Sequence, residues 1–305
     1  MSAGVTRSIS VRTAAKVNLH LGVGAPREDG FHPLSTVYQA IGLYDDVTVR
    51  RSPTWNLSLE TAEHVNAEAI PLIDNIVHHA ARALGERHGR DLVAAVQIDK
   101  NIPVAGGLAG GSADAAGALV ALDRLFGLQT SDEDLLEIAA GLGSDVPFAL
   151  MGGTAIGTGR GELVEPVDDP GTWWWVAVTS RDGLSTPEVY RHFDRLFPDA
   201  DPEPKGIEAV LAALASGEPL LLARSLHNDL QDAALDLRPD LARLIEEGEA
   251  AGALRGIISG SGPTVVFLAE DADSARHLGA DLLGAGHEIA LAAPGPVSGA
   301  TLVSL

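Results

Sequence analysis

The sequence predicts an α+β protein of two domains, each a layer of helices on a largely antiparallel sheet. Three observations carry that expectation. Apolar and polar residues alternate with a period of two over residues 9–23 and 38–51, as in strands with one buried face. Behind Asp74 and Ser112 the apolar residues recur every three or four positions, the spacing of amphipathic helices. The composition turns to Glu-Pro-Val-Asp-Asp-Pro-Gly at 165–171, which puts a boundary between residues 1–168 and 169–305.

Taken in order, Lys16, Asn18 and His20 share one face of the first strand, opposite Ala15, Val17, Leu19 and Leu21. Gly22, Gly24 and the stretch P-R-E-D-G-F-H-P form a closing loop. Residues 38–51 and 54–59 continue the sheet. Residues 74–88 form a helix capped by Asp74 or Asn75. Its His78, His79 and His88 belong to the surface rather than to a metal, because no carboxylate stands at a ligand spacing. The run Val96–Ile98 leads through Lys100 and Pro103 into a loop with Gly106, Gly107, Gly110 and Gly111. Ser112 reads as the N-cap of the helix that follows, which leaves Asp114 in the first turn. Ser131 caps the next helix, and Asp145 stands in a constrained loop before Pro147. Residues 152–161 read as a tight hairpin.

Past the boundary, residues 173–179 form a strand, and a helix begins behind Ser185 with Thr186 as cap and Pro187 at its first position. Helices follow at 206–215, 219–236 and 239–251. A second glycine turn, Ile257–Thr264, passes into a strand at 265–268. A helix near 272–284 and strands near 288–293 and 300–304 finish the order.

Composition narrows the function. A net charge of −21 with no basic block speaks against general nucleic-acid binding. Any anionic ligand must be held by local dipoles and a few placed cations. The absence of cysteine excludes disulfides, thiolate catalysis and Cys-ligated zinc. Lysine is scarce: Lys16, Lys100 and Lys205 are the three among 21 basic residues. A compact ammonium in a strand or glycine-rich setting does work that a guanidinium fork cannot. The first twelve residues lack the apolar core of a signal peptide, and no run is long enough to span a bilayer. The expectation is a cytoplasmic protein with small-molecule partners, off the membrane, as a monomer or weak homodimer.

Strand, glycine loop and helix start form an anion site, where unpaired N–H groups and the helix dipole favour phosphate. The loop is neither a Walker A sequence nor G-x-G-x-x-G, since position 108 is Leu. Three stretches in this order, A-K-V-N-L near the start, P-V-A-G-G-L-A-G-G-S-A-D-A-A in the middle and I-S-G-S-G-P-T near the end, resemble the three motifs of the GHMP kinases. The likeness spans nearly the whole chain. D-G-F-H, L-G-S-D-V-P-F and G-T-G-R-G-E look most like the branch whose acceptor is a cytidine-diphosphate-linked methylerythritol, in non-mevalonate isoprenoid synthesis.

The resemblance implies a ribosomal-protein-like N-terminal nucleotide-binding domain and a ferredoxin-like C-terminal domain. It implies ATP as co-substrate with Mg²⁺, the phosphates being held by Lys100 and by Pro103, Val104, Ala105, Gly106, Gly107, Leu108, Ala109, Gly110, Gly111, Ser112 and Ala113. Ser112 is also the residue offered to the metal. Lys16 and Asp145 are implied as the catalytic pair. Asn18, Phe31, His32, Thr186, Tyr190, Gly260 and Ser261 are implied on the substrate, with Phe31 and Tyr190 stacking on the base and His32 reading its edge. A homoserine or mevalonate type of kinase, or a nucleotide sensor that has lost the chemistry, stays open as an alternative at this level.

Overall fold

The computed structural model describes residues 8–104, 106–180 and 182–303. In the first domain β1 (Ser8–Val23) pairs antiparallel with β2 (Leu34–Arg51), Lys16 opposite Ala40 and Asn18 opposite Tyr38. β3 (Asn56–Thr61) runs parallel to β4 (Ala94–Lys100), and β4 pairs antiparallel with β2. β5 (Thr154–Thr158) extends β2 at its other end and forms a hairpin with β6 (Leu163–Val167).

After β6 come β7 (Trp173–Val178), β8 (His227–Asn228), β9 (Arg255–Ile258), β10 (Val265–Ala269), β11 (Ala290–Gly295) and β12 (Thr301–Leu302). Four of these form an antiparallel sheet in the order β11-β7-β10-β9. β8 and β12 instead pair with β1, so the second half of the chain returns twice to the first sheet.

Among the described residues, four α-helices precede β5: α1 (Ile76–His88), α2 (Gly110–Phe126), α3 (Asp132–Leu142) and α4 (Val146–Met151). Six follow: α5 (Thr186–Leu196), α6 (Glu208–Ser216), α7 (Pro219–Ser225), α8 (Gln231–Leu237), α9 (Pro239–Ala250) and α10 (Ala272–Gly284). α2 is the central one, with Ala115, Ala118, Leu119 and Leu122 fully buried at the spacing the sequence predicts. It lies close on β1 and β2 because Gly117 has no side chain: a Cβ there would stand 2.8 Å from Val47 Cγ2 and 3.1 Å from Thr13 Cγ2. The two domains also share an apolar core, in which Ala15, Val17 and Leu19 of β1 join Trp175, Val266 and Leu268 of the second sheet.

Several expectations change. Ser112 does not cap α2. The helix begins two residues earlier, behind Ala109 in the left-handed region (φ 57°), with no side-chain cap. Asp114 therefore falls in the second turn and is buried, not in the first turn. Asp145 stands in the turn between α3 and α4, as its constrained place before Pro147 suggests, and is also the N-cap residue of α4, a six-residue helix too short for a periodicity argument. The hairpin is wider than residues 152–161, with strands to either side of a turn at 159–162. The expected 219–236 helix is broken by β8, where Asn228 Nδ2 donates to the carbonyls of Ile258 and Gly260. At the start of α5 the cap position is Ser185, not Thr186, and Pro187 is the second helical residue.

Candidate active site

The two glycine turns are stapled together. Gly107 has φ +79° and lies so close to the second turn that a Cβ would come 2.1 Å from the Ser259 carbonyl oxygen. Ser259 Oγ donates to Gly107 O (3.0 Å), Thr264 N to Gly106 O (3.3 Å) and Lys16 N to Leu108 O (3.1 Å). The first glycine turn is thus held between β1 and the β9–β10 turn. The start of α2 opens into a cleft of about 1010 Å³ lined from both domains. With Ala109 turning the chain and no side chain capping the helix, the N–H groups of its first turn are free for an anion. Pro103, Val104, Gly106, Gly107, Ala109, Gly110, Gly111 and Ser112 line the cleft. Leu108 and Ala113 do not: both are fully buried in the shared core, so their side chains are packing residues. Ala105 lies outside the described residues.

Lys16 and Asp145 meet across this cleft. Nζ of Lys16 is 3.6 Å from Asp145 Oδ2; the lysine side chain is 7% exposed and the carboxylate 29%. The polar face of β1 is therefore not a solvated one. Asp145 can face the lysine because its side chain makes no capping bond to α4. Lys16 Nζ also donates to Asn18 Oδ1 (2.7 Å), Asn18 Nδ2 donates to Thr36 Oγ1 (2.9 Å), and Thr36 donates to His20 O (2.6 Å). In this arrangement Asn18 aims the ammonium. Gly260 (φ +58°) comes over the pair, where a Cβ would stand 3.4 Å from Lys16 Nζ.

Lys100 supports the loop from beneath. It is ion-paired to Asp45 and, at 2.9 Å, to Asp114, all three buried. Its ammonium stands 2.9 Å from where a Cβ on Gly110 would be. Asp45 also accepts from the backbone N–H groups of Asn101 and Ile102. Burial, and then the Asp45 charge, push Asp114 up to about 8 against the attraction of Lys100. Its Oδ1 has no hydrogen-bond partner among the described residues.

At the far end of the cleft, His32 is buried with Nδ1 2.8 Å from Gly24 O and its ring 5.0 Å from that of Tyr190. Phe31 is 51% exposed, with the Arg160 guanidinium 5.1 Å from its ring centroid. Thr186 Oγ1 and Ser261 Oγ are 2.7 Å apart and tie α5 to the second glycine turn. With Leu108 and Ala113 excepted, the described site residues expected from the sequence on β1, in the loops and on α5 thus line one cleft.

Tyr38, Asp45 and Asp194 were missed. Tyr38 stacks on Phe148 and faces Asp145, and burial and then the Asp145 charge raise its phenol well above the ordinary value. The one available signal was its place opposite Asn18 once β1 and β2 are paired. His78 stacks on Trp55, His79 meets Asp74 and His88 meets Thr130. No helix of the described residues is long and apolar enough to cross a membrane.

Fold and site together define a phosphotransferase that works in a cleft between two domains. Comparison with known proteins agrees. Residues 75–153 match the GHMP kinases N terminal domain, and residues 210–287 the GHMP kinases C terminal domain. The chain is 65% identical over 295 residues to a 4-diphosphocytidyl-2-C-methyl-D-erythritol kinase of a Nocardioides species, covering 96% of this chain and 99% of that one. It is 51% identical to the kinase of that name from Salinispora tropica, over 98% of this chain and 96% of that one. A crystal structure of 4-(cytidine 5'-diphospho)-2C-methyl-D-erythritol kinase superposes with a TM-score of 0.76 at 32% identity, covering 93% and 98% of the two chains. Homoserine kinase from Cytophaga hutchinsonii, 18% identical with a TM-score of 0.73 over 99% of each chain, shares the fold. The protein belongs to the GHMP kinase family, and it is an ATP-dependent kinase.

Proposed function

We propose that this protein transfers the γ-phosphoryl group of ATP to the 2-hydroxyl of 4-diphosphocytidyl-2-C-methyl-D-erythritol, giving the 2-phosphate and ADP. The observation that carries the reading is the Lys16–Asp145 pair, 3.6 Å apart in the cleft that the α2 start also opens into. Relatives of that name at 65% and 51% identity support the acceptor.

The chemistry asks little covalent work of the protein: positioning and charge stabilisation do most of it. The first-turn N–H groups of α2 hold the phosphates. Asp145 accepts the proton of the acceptor hydroxyl as that oxygen forms its bond to the γ-phosphorus. The bond from phosphorus to the β–γ bridging oxygen breaks, and ADP leaves with the electron pair. Lys16, aimed by Asn18, stabilises the charge on the transferred group.

Among the described residues no cluster of three His, Cys, Asp or Glu could hold a metal ion. Magnesium in such sites takes one or two protein oxygens and completes its shell with water and phosphate. Asp145 stays free to act as the base, and the Ser112 hydroxyl, which lines the cleft, would be the protein oxygen offered to an ion that arrives on the nucleotide. When bound, it spreads the negative charge of the transferred group. The acceptor is small and the cleft is the protein's own, so a single chain accounts for the site.

The test is direct: the protein is incubated with ATP, Mg²⁺ and the cytidyl acceptor, and phosphorus NMR follows the appearance of a phosphomonoester with ADP. Turnover of homoserine or mevalonate, and none of the cytidyl compound, would overturn the acceptor.

A further inference from the structure

The base end of the cleft contains an acid that phosphoryl transfer does not use. Asp194 is on α5, one turn beyond Tyr190, and its side chain lines the cleft at 36% exposure. A carboxylate is unfavourable in a cleft that receives polyphosphates, because like charges repel. Among the described residues its ion-pair contact is to no arginine or lysine but to His32, with Nε2 3.6 Å from Oδ1. That separation is beyond hydrogen-bond length.

The other ring nitrogen fixes the tautomer. Nδ1 of His32 is 2.8 Å from the carbonyl oxygen of Gly24. A carbonyl only accepts, so Nδ1 carries the hydrogen, and in the neutral ring Nε2 presents a lone pair. With the ring neutral, two acceptors stand side by side at the end of the cleft. Such a pair complements one kind of ligand group: an amine on an aromatic ring, with two N–H bonds to give.

We propose that His32 Nε2 and the Asp194 carboxylate together read the exocyclic amino group of a cytosine, and that Asp194 sets cytosine apart from uracil. The inference rests on the cytidyl acceptor proposed above. A carboxylate accepting from the cytosine amine is a recurring base-edge contact. Uracil presents a carbonyl oxygen at the same place. It would turn an acceptor toward two acceptors and give neither a hydrogen, which is how polar pockets reject near-isosteres. Phe31 and Tyr190 recognise only a base face and cannot make this distinction.

The experiment measures kcat/KM for the cytidine-diphosphate and uridine-diphosphate forms of the methylerythritol substrate, in the natural protein and in Asp194→Ala and Asp194→Asn. The Ala variant is expected to lower the cytidine-to-uridine ratio about ten- to a hundredfold, with KM for ATP unchanged. The Asn variant, whose amide can donate to a carbonyl, is expected to use the uridine compound better than the Ala variant does. An unchanged ratio in both variants, equal loss on both substrates included, overturns the role of Asp194 while leaving the acceptor reading intact. A natural protein that turns over neither compound overturns the acceptor reading, and this inference with it.

Discussion

The buried carboxylate beneath the phosphate loop gives this protein a pH-dependent stability that one substitution should remove. Asp114 is 3% exposed, and burial and the neighbouring Asp45 charge hold it at about 8 in the folded chain. In the unfolded chain an aspartate titrates near its ordinary value of about 3.9. Between those values the folded state keeps a proton that the unfolded state has lost. Its contribution to stability is fully present below about pH 4 and fades as pH rises through about 8, by up to about 1.4 kcal/mol per pH unit for one proton. Asp114→Asn keeps an oxygen for Lys100 but exchanges no proton. Measured against the variant, the natural protein should lose about 3 kcal/mol between pH 5 and pH 7. Urea unfolding at pH 5, 6, 7 and 9, at constant ionic strength, gives both curves, and the carboxylates outside the Asp45–Lys100–Asp114 cluster cancel in the difference. Parallel curves, or a natural protein that gains on the variant as pH rises, would refute the assignment of a shared proton to the Asp45–Lys100–Asp114 cluster.

Other outcomes follow from the same geometry. Lys16→Arg should lower kcat by about 10² or more, because a larger, planar fork cannot occupy a 7% exposed slot while bonding Asn18 and facing Asp145; near-normal steady-state turnover contradicts this. Gly107→Ala places a Cβ 2.1 Å from a backbone oxygen at φ +79°, and should cost about 1–3 kcal/mol in urea unfolding while raising KM for ATP as the glycine turns separate. His32→Ala should raise KM for the cytidyl acceptor at least about tenfold and leave KM for ATP alone; equal loss for both would make His32 a folding residue rather than a ligand-reading one.

Much of the site was legible in the sequence because its signals are local. The alternation in β1 put Lys16, Asn18 and His20 on one face, and the strand–glycine–helix order located the helix start that opens into the cleft. Its chemistry as a kinase came from three motifs in order, not from spacing. What was not legible depends on partners distant in the chain. Ser112 has the composition of a cap, but a left-handed Ala109 starts α2 earlier. Asp45 reads as one of many strand acids until β4 brings Lys100 beside it, 55 residues away. β8 is two residues long and exists only because β1 offers it an edge, so no periodicity could announce it. Asp194 is remote from His32 in sequence and meets it only when α5 docks against the loop after β1.

The central claim is that Asp145 takes the proton from the attacking hydroxyl beside Lys16. Single-turnover phosphoryl transfer by Asp145→Asn, with ATP and acceptor both saturating, measures that step alone. A fall of about 10²–10⁴ in the rate, with ATP affinity little changed, is the predicted result. A rate close to that of the natural protein, with the loss confined to acceptor binding, would contradict it.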